Sequence, residues 1–138
     1  MPLDPSLETR QPIPPLEVLT GQTPLTGEDR LWGMLAHVLA LASYALAGLS
    51  FIGPLLVYVF KREQSAFIGF HAREALNFNI SLVVYAAISL LLARYVTDWL
   101  AVLLVLIPIF GVAMSIVAAV HANRGELFRY PLCVRLIK

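Results

Sequence analysis

The chain has 138 residues, of which 59% are hydrophobic and 14% charged, with a formal net charge of +1 and a mean hydropathy of +0.77. Soluble domains average roughly 45–50% apolar and about 25% charged residues, so this composition indicates an integral membrane protein. The small net charge gives no sign of a nucleic-acid partner. The single cysteine, Cys133, excludes an intrachain disulfide and a cysteine-rich metal site.

Residues 1–27 carry six prolines and no apolar signal-peptide core. Proline fixes φ and lacks an N–H donor, so neither a helix nor a central strand is expected here. We predict a disordered, Pro-rich tail, and we expect membrane insertion to depend on the later segments.

The first apolar segment covers residues 31–60. Thirty helical residues rise about 45 Å, which is more than a hydrocarbon core of about 30 Å but too little to cross it twice. We therefore predict a single long span, broken near Gly53 and Pro54. A row of small residues on it is expected to pack against another helix: Ala36, Ala40, Ser43 and Ala47.

Two further spans are predicted, at about 66–94 and 98–122. Ser65 is a suitable N-cap for the first of them. In the second, Gly111, Ser115 and Ala119 recur every fourth residue and form a face for close helix packing. Residues 123–138 alternate charged and apolar side chains and are expected to lie at the membrane interface, as a strand or a short helix. The fold class is thus an all-α integral membrane domain, residues 28–138, with three transmembrane helices.

Three spans place the first loop and the C-terminus on one side of the membrane. That side carries seven Lys and Arg residues and the other side carries three. The positive-inside rule then predicts a multi-pass inner-membrane protein with a cytoplasmic first loop and C-terminus and an external N-terminus.

The densest polar stretch is residues 67–81, which contains His71, Arg73, Glu74, Asn77 and Asn79. A charge at mid-bilayer costs about 2.5–3.5 kcal/mol, so Arg73 and Glu74 are expected at the cytoplasmic interface and the asparagines just inside. One interpretation is a polar mouth that faces the bundle interior and contacts a ligand, an ion or a partner. The other is a helix end anchored by snorkelling charges, in which Glu74 pairs with Lys61, Arg62 or Arg129.

Neither a metal site nor a catalytic site is expected. His71 and Glu74 have i, i+3 spacing, but the second Glu-x-x-His element of a carboxylate–histidine site is missing. In the predicted topology His37 lies in the outer half of the membrane and His121 at the cytoplasmic end of the third span, so these two and His71 cannot all meet. The chain has no nucleophile elbow, zinc-protease motif or P-loop, so we expect no enzyme activity and no cofactor.

Four stretches resemble a bacterial membrane family that is similar to the Tic-twenty family, named for a subunit of the chloroplast import translocon: RLWGMLAHVLAL (30–41), GPLLVYVFKRE (53–63), FIGFHAREALNFNI (67–80) and ANRGELFRYPL (122–132). The resemblance implies a compact helical membrane domain and a role in protein translocation or a channel. Its plant members have four spans, one more than predicted here.

Three function hypotheses follow. The first is a non-enzymatic, translocon-like or pore-related subunit that acts in the lipid bilayer through helix contacts, with protein partners or as a homo-oligomer. The second is a small transporter or ion-binding protein that uses His71, Glu74 and Asn77. The third is an intramembrane enzyme.

Overall fold

The computed structural model describes residues 24–44 and 49–138. These residues form four α-helices and, within the described part, no strand: α1 Gly27–Tyr44, α2 Ile52–Lys61, α3 Ala66–Tyr95 and α4 Leu103–Asn123. A 3-10 turn, Asp98–Val102, leads into α4. The predicted all-helical class is confirmed, whereas the predicted disordered tail lies almost entirely outside the described residues.

The helices begin and end where local chemistry favours it. At the start of α1 the Asp29 amide donates to the Thr26 hydroxyl, and the Thr26 amide donates to the Asp29 carboxylate, which is a capping box. Ser65 caps α3 by accepting from the Phe67 amide. After α4, Gly125 adopts φ 79°, the left-handed conformation that terminates many helices.

Helices α1 and α2 form a hairpin and not one broken span. A Cβ atom added at Gly53 would lie 2.6 Å from the backbone carbonyl of Leu39, so the two helices are in direct contact there. At the other end of the pair, the Lys61 ammonium lies 4.4 Å from the Trp32 ring centroid. The prediction of a single span over 31–60 is therefore wrong. Pro54 stands in the first turn of α2, where the missing N–H is tolerated.

The hairpin also removes the basis for placing the start of α1 and the first loop on opposite sides of the membrane. Because Trp32 meets Lys61, the start of α1 lies at the same end of the bundle as the loop before α3. The end of α4 lies there too, since Gly125 approaches the side chains of Arg30 and Leu25. The start of α1, the first loop and the residues after α4 thus share one end of the bundle, which we call the basic end.

Two stretches are long and apolar enough to cross a membrane, Ala66–Tyr95 and Asp98–Asn123. They run antiparallel, with the rings of Phe78 and Phe110 6.0 Å apart. Trp99 and His121 are 22 positions apart, which is about 33 Å of helix and matches a hydrocarbon core with its Trp at one interface. Tyr44, at the end of α1, lies beside Gly111, near the middle of this distance. The end of α1 is therefore level with the middle of α4.

Cysteine labelling checks this arrangement. In a Cys133→Ser background, we expect Gly27→Cys and Gln64→Cys to react with a membrane-impermeant maleimide from the same side of sealed vesicles. Val96→Cys, in the turn between α3 and α4, should react only from the other side. Labelling of Gly27→Cys and Gln64→Cys from opposite sides would restore the three-span topology.

Small residues line the helix contacts. Ala36 and Ala40 of α1 are buried, and so are Gly111, Ser115 and Ala119 of α4. A Cβ atom at Gly111 would overlap the Tyr44 hydroxyl. Of the predicted row on α1, Ala47 lies outside the described residues, as does the side chain of Ser43.

Candidate functional site

One face of α3 carries a column of polar side chains. His71, Glu74, Asn77 and Ser81 follow each other at three- or four-residue intervals, so they share one side of the helix. All four are buried, although polar groups at this depth are costly without partners. Their partners lie in residues 124–138, which we call the C-terminal segment. It forms turns and irregular backbone against α3.

Glu74 holds the middle of the C-terminal segment. Its Oε1 accepts from Nε of Arg135 at 2.8 Å, and its Oε2 accepts from Nη2 of Arg135 at 3.1 Å. Oε2 also accepts from the Tyr130 amide at 3.3 Å. This bidentate carboxylate–guanidinium pair is the strong form of a charged hydrogen bond. The Glu74 side chain is only 4% exposed and that of Arg135 is 40% exposed, so one partner is buried and the other reaches the surface.

Asn77 and Ser81 bind the backbone of the last residues as a neighbouring strand would. The Asn77 Oδ1 accepts from the amides of Leu136 and Ile137 at 3.1 and 2.9 Å, and its Nδ2 donates to the Ile137 carbonyl at 2.9 Å. The Ser81 hydroxyl accepts from the Val134 amide at 2.9 Å. An irregular segment keeps its amides bonded in this way without a strand beside it.

Two histidines and a tyrosine form a buried chain of hydrogen bonds. His71 Nε2 lies 3.1 Å from the Glu126 carbonyl, His71 Nδ1 lies 2.9 Å from His37 Nε2, and His37 Nδ1 lies 2.9 Å from the Tyr130 hydroxyl. A carbonyl oxygen only accepts, so His71 carries its proton on Nε2. With both rings neutral, as full burial favours, His37 must also be protonated on Nε2 and Tyr130 must donate its hydroxyl proton.

Removing that proton donor tests the chain. Tyr130→Phe leaves the buried His37 Nδ1 without a donor, and we expect the free energy of unfolding in detergent to fall by about 1–2 kcal/mol. Nitrogen NMR of the wild-type imidazoles should show both rings protonated on Nε2. Tyr95→Phe, at an exposed site at the other end of the bundle, is the matched control and should change neither measurement. An Nδ1-protonated His71 would contradict the assignment.

The electrostatics of the C-terminal segment follow from the same contacts. The hydrogen bonds that Arg135 donates to Glu74 raise the pKa of its guanidinium above the usual value. Burial raises the pKa of Tyr130 far above that of free tyrosine, so its hydroxyl stays protonated. Burial, with the nearby charge of Glu74, raises the pKa of Cys133 to about 11. At neutral pH that thiol is therefore not a thiolate nucleophile.

The whole helical domain matches one family. Residues 28–137 fit the model of the MamF/MmsF family, the magnetosome magnetite crystal formation protein family. The chain belongs to this family. No curated protein and no solved structure gives a significant match. The resemblance to the Tic-twenty family is therefore wrong, because the stretches on which it rested lie within the MamF/MmsF match. With its two membrane-length helices, this is a membrane protein of a magnetosome family.

In this MamF/MmsF chain only part of the predicted polar stretch acts together. His71, Glu74 and Asn77 all hold the C-terminal segment. Asn79 bonds its own helix through the Ala75 carbonyl, and its Oδ1 is buried without a partner among the described residues. Arg73 is half-buried and makes no hydrogen bond or ion pair within the described part of the chain.

Two expectations about this region are corrected. Glu74 pairs with Arg135 and not with Lys61, Arg62 or Arg129, because the neighbours of Arg135, Val134 and Leu136, are bound to Ser81 and Asn77 on the same face of α3. The C-terminal segment is neither strand nor helix, since the α3 side chains take the hydrogen bonds that would build either.

The predicted separation of the histidines is also wrong, because α1 and α3 run parallel and bring His37 against His71. His121 lies close by, with its Nδ1 2.6 Å from the Glu126 carboxylate. Even so, no group of three or more His, Cys, Asp or Glu side chains that could hold a metal ion occurs in the described ranges.

Sequence reasoning missed three partners of the column: His37, Tyr130 and Arg135. It placed Ser81 on the same helix face but not among the site residues. Ser81 had a signal, since it continues the spacing of His71, Glu74 and Asn77. The three missed partners lie 34 to 61 positions away from the column residues that they bind, so no local periodicity could connect them.

Proposed function

We propose that this protein is a non-enzymatic membrane component of magnetite crystal formation that works by presenting its C-terminal segment to other proteins or to further copies of itself. The observation that carries this proposal is the use of the α3 column. Glu74, Asn77 and Ser81 all bind residues 130–137. Polar groups at membrane depth that fix one segment so closely indicate that the position of that segment matters.

The ion-binding alternative loses its candidate ligands to these contacts. Both nitrogens of His71, both oxygens of Glu74 and the side-chain oxygen and nitrogen of Asn77 already have partners within the chain. An ion would have to displace the C-terminal segment to reach them. Catalysis is disfavoured for the same reason, and Cys133 is protonated at neutral pH.

The basic end is proposed to face the cytoplasm. Eight of the nine Lys and Arg residues in the described ranges lie on the elements that meet there, and Arg94 alone lies at the other end. The positive-inside rule favours a cytoplasmic position for such an end. The C-terminal segment would then be presented from the cytoplasmic half of the membrane.

Replacement of Asn77 in magnetite-forming cells tests the proposal. Asn77→Leu removes three hydrogen bonds to the last residues, so we expect the protein to remain in the membrane fraction while crystal size or number changes in electron micrographs. Asn123→Leu, at an exposed position at the end of α4, is the matched control and should give ordinary crystals. If the C-terminal segment is shown to be released in Asn77→Leu and the cells still form ordinary crystals, the segment has no role in crystal formation.

A further inference from the structure

A cavity of about 800 Å³ lies beside α3 and the end of α4. Residues 126–135 form most of its wall, and Tyr85 and His121 complete it. From Gly125 the chain runs along the cavity away from the basic end, turns at Pro131 and Leu132, and returns along α3. Leu132 adopts φ 53° at the turn and is 74% exposed.

The turn lies level with the middle of α4. Leu132 lines a small groove together with Leu106 and Phe110, and position 110 is halfway between Trp99 and His121. Irregular backbone at hydrocarbon depth is tolerated only where protein covers it or where it lines a water-filled cavity. The unbonded backbone groups along the cavity wall therefore need water or the polar groups of a ligand.

The mouth of the cavity carries an unpaired guanidinium. The Glu126 carboxylate is hydrogen-bonded to His121 Nδ1 at 2.6 Å, and Arg135 is paired with Glu74. Arg129 also lines the cavity, and it makes no ion pair or hydrogen bond within the described residues. Its neighbour Phe128 stacks on the His121 ring, with centroids 5.2 Å apart, which places Arg129 close to the end of α4 and so close to the interface.

Unbonded backbone donors lie along the same wall. The amides of Arg129, Leu132 and Cys133 make no hydrogen bond to any described residue, whereas the amides of the neighbouring Tyr130 and Val134 are bonded. A guanidinium with free amides beside it matches the oxygen atoms of a phosphate and the ester groups next to it.

The deep end of the cavity is apolar. It shares Tyr85 and Leu132 with a groove of about 210 Å³ between α3 and α4, which Leu82, Leu106, Ile107 and Phe110 also line. A cation at the interface, free amides below it and an apolar groove at mid-depth follow the order of groups in a phospholipid. We propose that this cavity binds an anionic phospholipid, with the phosphate beside Arg129 and one acyl chain in the groove.

Lipid titrations of the full-length chain in detergent, followed by native mass spectrometry, test the site. We expect dioleoyl phosphatidylglycerol to bind about tenfold more tightly than dioleoyl phosphatidylcholine. Both lipids carry a phosphate, but only phosphatidylcholine carries a trimethylammonium group, which the Arg129 guanidinium beside the phosphate repels. Arg129→Gln should remove this preference, mainly by weakening the binding of phosphatidylglycerol. Arg94→Gln, which removes an exposed arginine at the other end, should change the preference less than about twofold.

Three outcomes would overturn the proposal: equal affinity for the two lipids, an unchanged preference in Arg129→Gln, or displacement of phosphatidylglycerol by 10 mM inorganic phosphate (roughly a hundredfold excess over lipid). The last result would indicate a free-anion site.

The groove is tested by chain length, since dioctanoyl phosphatidylglycerol should bind on the order of tenfold more tightly than the dihexanoyl lipid. No chain-length dependence would exclude an acyl chain from the groove. Thermal unfolding of Arg129→Gln should match the wild type, because Arg129 supports no other described side chain. Since purified protein is used, the result is independent of any effect on crystals.

Discussion

Glu74→Gln is expected to release the C-terminal segment from α3. The substitution keeps the size of the side chain and one acceptor oxygen, but it removes the charge that binds Arg135 through two hydrogen bonds. Hydrogen bonds to charged groups contribute about 1.5–3 kcal/mol. Because the Arg135 side chain is 40% exposed and can return to water, we take the lower part of that range, about 2 kcal/mol. Opening of the segment should become about 30-fold more frequent.

Hydrogen–deuterium exchange measures this opening directly. Four amides of the segment are bonded to α3 side chains and should lose protection together in Glu74→Gln: Tyr130, Val134, Leu136 and Ile137. Glu63→Gln is the matched control. The Glu63 side chain is 88% exposed, and its ion pair with Arg62, at 3.8 Å, is of the exposed kind that contributes little to stability. Its loss should therefore leave the exchange at the four amides unchanged. Unchanged exchange at the four amides would show that Asn77 and Ser81 hold the segment alone. Arg135→Gln should give a similar loss, and the double variant should be less than additive.

The elements whose causes are local could be predicted from the sequence. Ser65 caps α3, and the predicted spans 66–94 and 98–122 lie within a residue or so of the structural stretches Ala66–Tyr95 and Asp98–Asn123. Each depends on a cap, an apolar run or a glycine, and all of these act over a few residues. The polar face of α3 follows from the same local periodicity.

The α1–α2 hairpin could not be predicted in this way, because its cause is not local. Thirty residues are too few for two complete crossings, but a helical hairpin need not cross the bilayer completely. In the structure α1 ends level with the middle of α4, and α2 returns over ten residues. The contact that permits this return is the one between Gly53 and Leu39, which a sequence shows only as a glycine in an apolar run.

The hairpin and the C-terminal segment depend on each other through the buried hydrogen-bond chain. His37 belongs to the hairpin, His71 belongs to α3 and Tyr130 belongs to the segment, and their side chains meet at 2.9 Å spacings. An interface of three elements around one polar chain fixes a single arrangement, because any displacement leaves a buried donor or acceptor unpaired. The stability of the hairpin should therefore affect the position of the segment as well.

Gly53→Ala is expected to separate the hairpin. The new Cβ atom would lie 2.6 Å from the carbonyl carbon, the carbonyl oxygen and the Cβ atom of Leu39. Backbone atoms cannot rotate away, so the helices must move apart, at a cost of about 1–3 kcal/mol for overpacking. Gly111→Ala meets the ends of the Tyr44 and Leu82 side chains instead and should cost less, since those ends can shift.

Gly27→Ala is the control that separates the effect of packing from the effect of helix propensity. Gly27 is also helical, and a Cβ atom there would have nothing within 4 Å. Alanine is favoured over glycine in a helix by up to about 1 kcal/mol, so Gly27→Ala should leave the thermal unfolding midpoint equal or higher. If packing against Leu39 dominates, Gly53→Ala must lower the thermal unfolding midpoint, although alanine also has the higher helix propensity at that position. A higher midpoint in both variants would mean that α1 and α2 do not touch at Gly53. A lower midpoint in Gly53→Ala alone, together with faster exchange at Tyr130, would show that the hairpin supports the C-terminal segment through His37.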